Sequence, residues 1–173
     1  MSDSKTFRAI NIAVLTISDS RNEDDDKSGK LLVDLLTQAG HRSVSKTIVP
    51  DDIYAIRAAV SNWVASSEVD AIITTGGTGV TGRDGTPEAI QPLLDKEIEG
   101  FGEIFRAISF TEIQTSSIQS RALAGVANGT YMFCLPGSSG ACKTAWVSII
   151  SQQLDNRTRP CNLAMLMPRL LEK

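Results

Sequence analysis

The stretch AIITTGGTGVTGRDGTPEAI, residues 71–90, decides how this chain is read. An apolar, strand-like run from Ala71 to Thr75 ends in Gly76-Gly77-Thr78-Gly79. An acid, Asp84, follows, and Thr86-Pro87 opens a helix. A strand that ends in glycines and hydroxyls ahead of a helix brings backbone N–H groups close to a phosphate. The acid just beyond points to a metal or a base beside that anion.

Upstream, Ile10 to Ile17 reads as a buried strand that stops at Ser18-Asp19-Ser20. A polar loop from Arg21 to Lys27 carries Glu23-Asp24-Asp25-Asp26, a run that reads as solvated charge rather than a metal site. Ser28 is placed to cap a helix with Leu31, Leu32, Leu35 and Leu36 on its apolar positions, and Gly40 sits where a C-terminal cap belongs. A second strand runs from Val44 to Val49. Asp51 then opens a helix whose apolar face is Ile53, Ile56, Val60, Trp63 and Val64. Downstream of the glycines, one helix carries Ala89, Ile90, Leu93 and Leu94, and another spans Phe101 to Phe110. The stretch from Ile113 to Ala127 gives no clear pattern. Tyr131 to Leu135 is a strand, Pro136-Gly137-Ser138-Ser139-Gly140 a turn, and a helix passes through Trp146 and Ile150. The tail from Arg157 to Lys173 presents Leu163, Leu166, Leu170 and Leu171 for a partner surface, and residues 1–8 form a polar arm. One domain over residues 1–173 is expected, with no repeat or linker.

Strands alternating with helices define an α/β chain with a mostly parallel sheet covered on both faces. Ligands of such sheets bind outside the carboxyl ends of the strands. The loops at Ser18-Asp19, at Thr75-Gly76-Gly77 and at Pro136-Gly137-Ser138 therefore converge, although they lie far apart in sequence. Asp51, just after the second strand, falls on the same edge.

Composition narrows the chemistry. A net charge of -3 and 5% aromatic residues argue against a nucleic-acid surface. Three cysteines, Cys134, Cys142 and Cys161, lack C-x-x-C spacing and read as reduced thiols in a cytoplasmic protein. One histidine, His41, argues against zinc and against His-activated nucleophiles. The N-terminus lacks a signal-peptide core, and no apolar run approaches a membrane span.

Gly77-x-Gly79-x-x-Gly82 matches the dinucleotide fingerprint in letters only. Arg83, Asp84 and Gly85 separate its glycines from the helix at Pro87, and the loop follows the third strand rather than the first. No Walker lysine occurs. The glycines also have a plain structural reading as a tight connection, Asp51 as a helix cap and Asp84 as a turn residue. Cys134 reads as a small buried hydrophobe, and Arg121 and Lys143 equally as surface charges or site residues. A helix N-terminus contributes only ~0.3–1 kcal/mol toward an exposed anion, too little to neutralise a triphosphate beside a second phosphate. A site for two phosphorylated ligands needs a divalent ion, and Asp51 and Asp84 are placed to hold magnesium together with phosphate oxygens.

TTGGTGVTGRDGTPEA, TISDS followed by DDDKSG, VPDD around Asp51, GFGEIFR and LPGSSGACKTAW together resemble the molybdopterin-binding family of molybdenum cofactor biosynthesis. YAIRAAVSNWVAS, SIQSRALAGVANGT and LDNRTRPCN are most similar to its bacterial MoaB branch. The resemblance covers nearly the whole chain. It implies a three-layer α/β/α sandwich, homotrimers that pair into hexamers, and a pocket for molybdopterin, a pyranopterin with a dithiolene and a terminal phosphate. Adenylyltransferase relatives such as MogA adenylate that phosphate with Mg-ATP. By position, the resemblance assigns Thr75, Gly76, Gly77, Thr78 and Gly79 to the pterin phosphate. Asp51 and Asp84 become the catalytic and magnesium-binding acids, and Ser18, Asp19, Pro136, Gly137, Ser138 and Ser139 the rest of the pocket. Contacts with other proteins of cofactor biosynthesis follow from the same likeness. It leaves three functions open: a molybdopterin adenylyltransferase, a molybdopterin carrier without chemistry, and an oligomeric scaffold with weak nucleotide hydrolysis.

Overall fold

A computed structural model describes residues 6–172, so the first five residues of the polar arm and Lys173 lie outside the described residues. The elements in order are β1 (Asn11–Ile17), α1 (Lys27–Gln38), β2 (Arg42–Val49), α2 (Ile53–Val64), β3 (Ala71–Thr75), α3 (Thr86–Ile90), β4 (Lys96–Glu97), α4 (Glu99–Ile113), β5 (Leu123–Ala127), β6 (Thr130–Leu135), α5 (Ser139–Ala145) and α6 (Ser151–Leu154). A π-helical stretch, Trp146–Ile150, joins α5 to α6 without a break.

The strands form one six-stranded sheet in the order β2-β1-β3-β6-β5-β4. The pairs β1/β2, β1/β3 and β3/β6 are parallel. The pairs β5/β6 and β4/β5 are antiparallel. Residues along a strand point alternately to the two faces. Ile12 and Val14 thus enter one core with Leu32 and Leu36 of α1, Phe101 and Phe105 of α4, and Trp146 and Ile150. Ala13 and Leu15 enter the other, with Ile56 and Val60 of α2 and Ile90 of α3. Both faces are covered, which is why β1 and β3 read as unbroken apolar runs. Each fully buried Leu or Ile contributes roughly 1.5–3 kcal/mol. Leu163, Met167 and Leu170 of the tail pack against the first core, and the Tyr131 hydroxyl donates to the Leu163 carbonyl at 2.9 Å.

Several local expectations shift. Asp26 rather than Ser28 caps α1, accepting from Gly29 N at 2.9 Å. Asp26 is not solvated but fully buried, where it accepts from Thr16 Oγ1 at 2.8 Å and pairs with Lys46 Nζ at 2.8 Å. A buried carboxylate persists only with such partners. Asp52 rather than Asp51 caps α2, accepting from Tyr54 N and Ala55 N. The helix expected through Leu94 stops at Ile90 and tightens into a 3₁₀ turn over Gln91–Leu93, where Pro92 cannot donate to the ladder. The unpatterned stretch resolves into a 3₁₀ turn, Gln114–Gln119, followed by β5. Cys134 is buried in the second core as expected. Among the described residues no helix is long and apolar enough to cross a membrane.

Candidate functional site

From β1 the chain leaves toward the face that carries α1, and from β3 toward the face that carries α3. Diverging connections open a crevice at the carboxyl ends of the two strands. The loops after β1, β3 and β6 meet there at Gly76. Its φ is +113°, and a Cβ at this position would strike the Ile17 carbonyl oxygen of β1. Gly76 N donates to Leu135 O at 3.0 Å. On its far side, a Cβ on Gly137 would lie 3.4 Å from the Gly76 Cα.

The resulting cleft has a volume of about 570 Å³. Ser18, Gly76, Gly77, Thr78, Gly79, Asp84, Pro136, Gly137 and Ser138 all line it. Four other expected residues, Asp19, Asp51, Thr75 and Ser139, stand behind or beside that surface. Thr75 is fully buried, and its hydroxyl donates to Pro136 O at 3.0 Å, fastening the β3 end to the β6 end. Ser139 begins α5, with Ser138 as its cap. Asp19 takes a two-pronged ion pair from Arg83 (Nε–Oδ2 3.0 Å, Nη2–Oδ1 2.7 Å) and accepts from Asp51 N at 3.0 Å.

Asp51 and Asp84 sit directly behind the glycines. A Cβ on Gly77 would lie 3.0 Å from Asp51 Oδ2, and one on Gly79 would lie 2.7 Å from Asp84 Oδ2. Because Asp52 carries the α2 cap, the Asp51 carboxylate is free of that duty. Its Oδ1 accepts from Gly85 N at 3.3 Å. Asp84 Oδ2 accepts from Thr81 N at 2.8 Å and from Thr81 Oγ1 at 2.7 Å. Thr86 closes the loop from below, its hydroxyl donating to Gly76 O at 2.8 Å and its N to Gly77 O at 3.0 Å.

The acids are tuned apart. Burial raises the Asp51 pKa, and the charges of Asp84 and Asp19 add to that rise against the Gly85 N–H and Arg83. The Thr81 hydroxyl, aided by backbone N–H groups and the Arg121 charge, holds Asp84 below the ordinary carboxylate value. Arg83 likewise holds Asp19 low. Two carboxylates that repel each other beside a glycine loop suit a hard divalent cation. The Asp51 and Asp84 oxygens not engaged by Gly85 and Thr81 would be its protein ligands.

Sequence reading missed several site residues. Arg21 lines the cleft, with Nη1 donating to Ser28 Oγ at 2.6 Å and Nη2 to Gly137 O at 2.9 Å. The α4 face contributes Phe105, Ser109, Glu112 and Ile113, while Arg121, open in sequence between surface charge and site residue, grips the glycine loop from behind. The signal for the four α4 residues is their helical spacing, which an expected helix ending at Phe110 cuts short before Glu112 and Ile113.

Fold and cleft together are those of an α/β protein with a small-ligand pocket at the switch point of its sheet. A family model described as "Probable molybdopterin binding domain" matches residues 13–156. Molybdenum cofactor biosynthesis protein B of Escherichia coli (strain K12) is 57% identical over 159 residues, covering 92% of this chain and 94% of that one. The protein of the same name from Staphylococcus epidermidis is 47% identical over 153 residues, covering 86% and 87%. A crystal structure of molybdenum cofactor biosynthesis protein B superposes with a TM-score of 0.88 at 41% identity, over 98% of this chain and 100% of that one. A structure of MogA matches with a TM-score of 0.71 at 32% identity, over 78% and 89%. The chain belongs to the molybdopterin-binding family of molybdenum cofactor biosynthesis proteins, in its protein B (MoaB) branch.

Proposed function

We propose that the cleft binds molybdopterin, with the terminal phosphate against Gly76-Gly77-Thr78-Gly79, and that the protein adenylates this phosphate with Mg-ATP. The observation that carries the reading is the placing of Asp51 and Asp84 immediately behind Gly77 and Gly79. Backbone N–H groups of the glycine loop orient the nucleophilic phosphate. A phosphate oxygen attacks the α-phosphorus of ATP, a P–O bond forms, and pyrophosphate leaves as the α–β bridge breaks. That phosphate is already ionised at neutral pH, so no strong base is required, and a site without histidine suits the step. The chain aligns two anions and screens them, so positioning and electrostatics carry the rate. Magnesium, when bound, screens the two phosphates from each other. Family membership supports molybdopterin as the ligand and a role in molybdenum cofactor biosynthesis.

Self-association into trimers and hexamers belongs to the same reading. It is supported by the exposed apolar residues Ile104, Phe110, Ile113 and Ile118 on α4 and the turn after it. A second reading, a molybdopterin carrier without chemistry, is favoured by one contact: Asp84 holds both the N–H and the hydroxyl of Thr81, as a turn residue does. Incubation of the protein with molybdopterin and Mg-ATP separates the two. Adenylated molybdopterin and pyrophosphate support the transferase; tight pterin binding with no product moves the protein to the carrier reading.

A further inference from the structure

The wall of the cleft opposite the glycine loop is made by one face of α4. Phe105, Ser109, Glu112 and Ile113 all line the cleft, and the spacing i, i+4, i+7, i+8 puts them on a single helical stripe. Across from them α5 presents Gly140 and Ala141. One turn further along α5, the buried Thr144 hydroxyl lies 3.0 Å from Glu112 Oε1 and 2.8 Å from Glu112 Oε2. A glutamate at the end of a helix would otherwise sample many rotamers; the Thr144 contact holds this one toward its neighbour helix.

The cleft is therefore electrostatically polar along its length. Asp84 and Glu112 are the carboxylates that line it among the described residues, and they stand at different walls. Asp84 is backed by Thr81 and Arg121, whereas Glu112 is joined by a neutral hydroxyl. Arg21 stands near Gly137, on the side of the strand ends. Molybdopterin is polar in the complementary sense. Its phosphate and dithiolene are anionic and favour the side where Arg21 stands and where the Arg121 charge offsets Asp84, over a carboxylate joined by a neutral hydroxyl. The other end of the ligand, the 2-amino-4-oxo ring, offers an amino group and an adjacent ring N–H, donors for the lone pairs that the Glu112 oxygens keep beyond the Thr144 hydroxyl standing against both of them.

We propose that Glu112, held by Thr144, is the specificity-determining residue that reads the amino and N–H edge of the pterin, fixing the ligand with its heterocycle toward α4 and its phosphate toward the glycine loop. This inference rests on the molybdopterin reading of the cleft. A flat ring entering on this side passes the apolar edges of Phe105 and Ile113, and the small residues Gly140 and Ala141 leave room for it. A site built to pair with particular donors rejects an analogue that lacks them, because its own polar group is then left unpaired.

The test measures displacement of bound molybdopterin by two phosphate-free competitors. Neopterin carries the 2-amino-4-oxo edge, and its 2-oxo analogue, 6-(trihydroxypropyl)lumazine, differs only in having an oxygen where the amino group stands. The wild-type protein is expected to prefer neopterin by about tenfold or more. Glu112→Gln is expected to erase that preference and Thr144→Val to reduce it, with both variants folded at the assay temperature and unchanged competition by inorganic pyrophosphate. Retention of the preference in Glu112→Gln overturns the assignment, as does failure of both competitors to displace molybdopterin from the wild type. Failure of the wild type to bind molybdopterin at all overturns the reading of the cleft itself, and so is distinct from a failure confined to Glu112.

Discussion

Arg121 holds the backbone carbonyl of Asp84: its Nη2 donates to Asp84 O at 2.8 Å. The same guanidinium donates through Nε to Gly79 O at 2.7 Å and through Nη1 to the Glu88 carboxylate, while Arg121 N donates to Thr78 O at 3.0 Å. One residue just before β5 thus fastens both ends of the loop that carries Asp84. The planar fork suits this task, because it reaches three acceptors in fixed relative directions.

Arg121→Ala is expected to lower stability by about 1–3 kcal/mol, the loss of several hydrogen bonds at a partly exposed site. Molybdopterin affinity is expected to fall more steeply, as the loop loses its shape. Arg121→Lys should recover little, since an ammonium cannot span the three acceptors. Urea unfolding and ligand titration on the same variants check both expectations.

Asp26 anchors the end of β1. Burial pushes its pKa up, but Lys46, the Gly29 N–H and the Thr16 hydroxyl outweigh that and hold it below the ordinary value of 3.8. A carboxyl depressed in the folded state contributes stability above its unfolded pKa and loses it as pH falls through the folded one. The protein should therefore lose stability steeply below about pH 4, and Asp26→Asn should flatten that limb. Asp26→Ala removes the α1 cap and the Thr16 partner but leaves Lys46 paired with Glu23 at 2.8 Å, and should cost about 1–3 kcal/mol by urea unfolding at neutral pH.

His41 gives a second, separable pH dependence. Its ring packs between Phe7 and Trp146, at centroid distances of 5.1 and 6.1 Å, and its Nδ1 accepts from Ile10 N at 3.4 Å. Burial lowers its pKa from 6.5, against the pull of the Asp155 carboxylate. Below that value the unfolded chain takes up a proton that the folded chain resists, so stability declines as pH falls through the mid-sixes toward the folded pKa. As the chain's one histidine, His41 is the side chain whose ordinary pKa lies in that range. His41→Phe is expected to abolish the slope between about pH 7 and 5, read from urea midpoints at each pH.

Gly77 has a φ of +64°, and a Cβ there would strike Thr86 Oγ1 as well as approach Asp51. Gly77→Ala is expected to destabilise the protein by about 1–3 kcal/mol, combining backbone strain with the clash. Gly82→Ala, in the same loop with nothing within 4 Å of the added carbon, is expected to stay within about 0.5 kcal/mol. Differential thermal unfolding of the pair is the measurement.

The sheet, its parallel strands and the convergence of three loops were legible in sequence because long apolar runs and glycine-rich ends are local signals. The antiparallel edge was not. β4 has two residues, and Leu-Ala-Gly-Val-Ala of β5 holds a single β-branched side chain. Capping was misread by one or two residues at α1 and α2, since Asp26 competes with Ser28 and Asp51 with Asp52, and only three-dimensional reach decides between them. The one-residue shift at α2 matters for the site, because it releases the Asp51 carboxylate. Glu112 was invisible as a site residue, and Arg121 stayed open between surface charge and site residue, for another reason: each acts through contacts to segments distant in sequence.

The glycine loop and the acids behind it are proposed to form the molybdopterin site. Titration of molybdopterin into the wild-type protein and into Gly79→Ala tests it most directly, since a Cβ at that position displaces the Asp84 carboxylate without imposing a left-handed backbone. One molybdopterin per chain in the wild type, with affinity reduced about tenfold or more in a Gly79→Ala protein that keeps its fold, is the expected result. Equal affinity in the two proteins, or no binding by either, would contradict it.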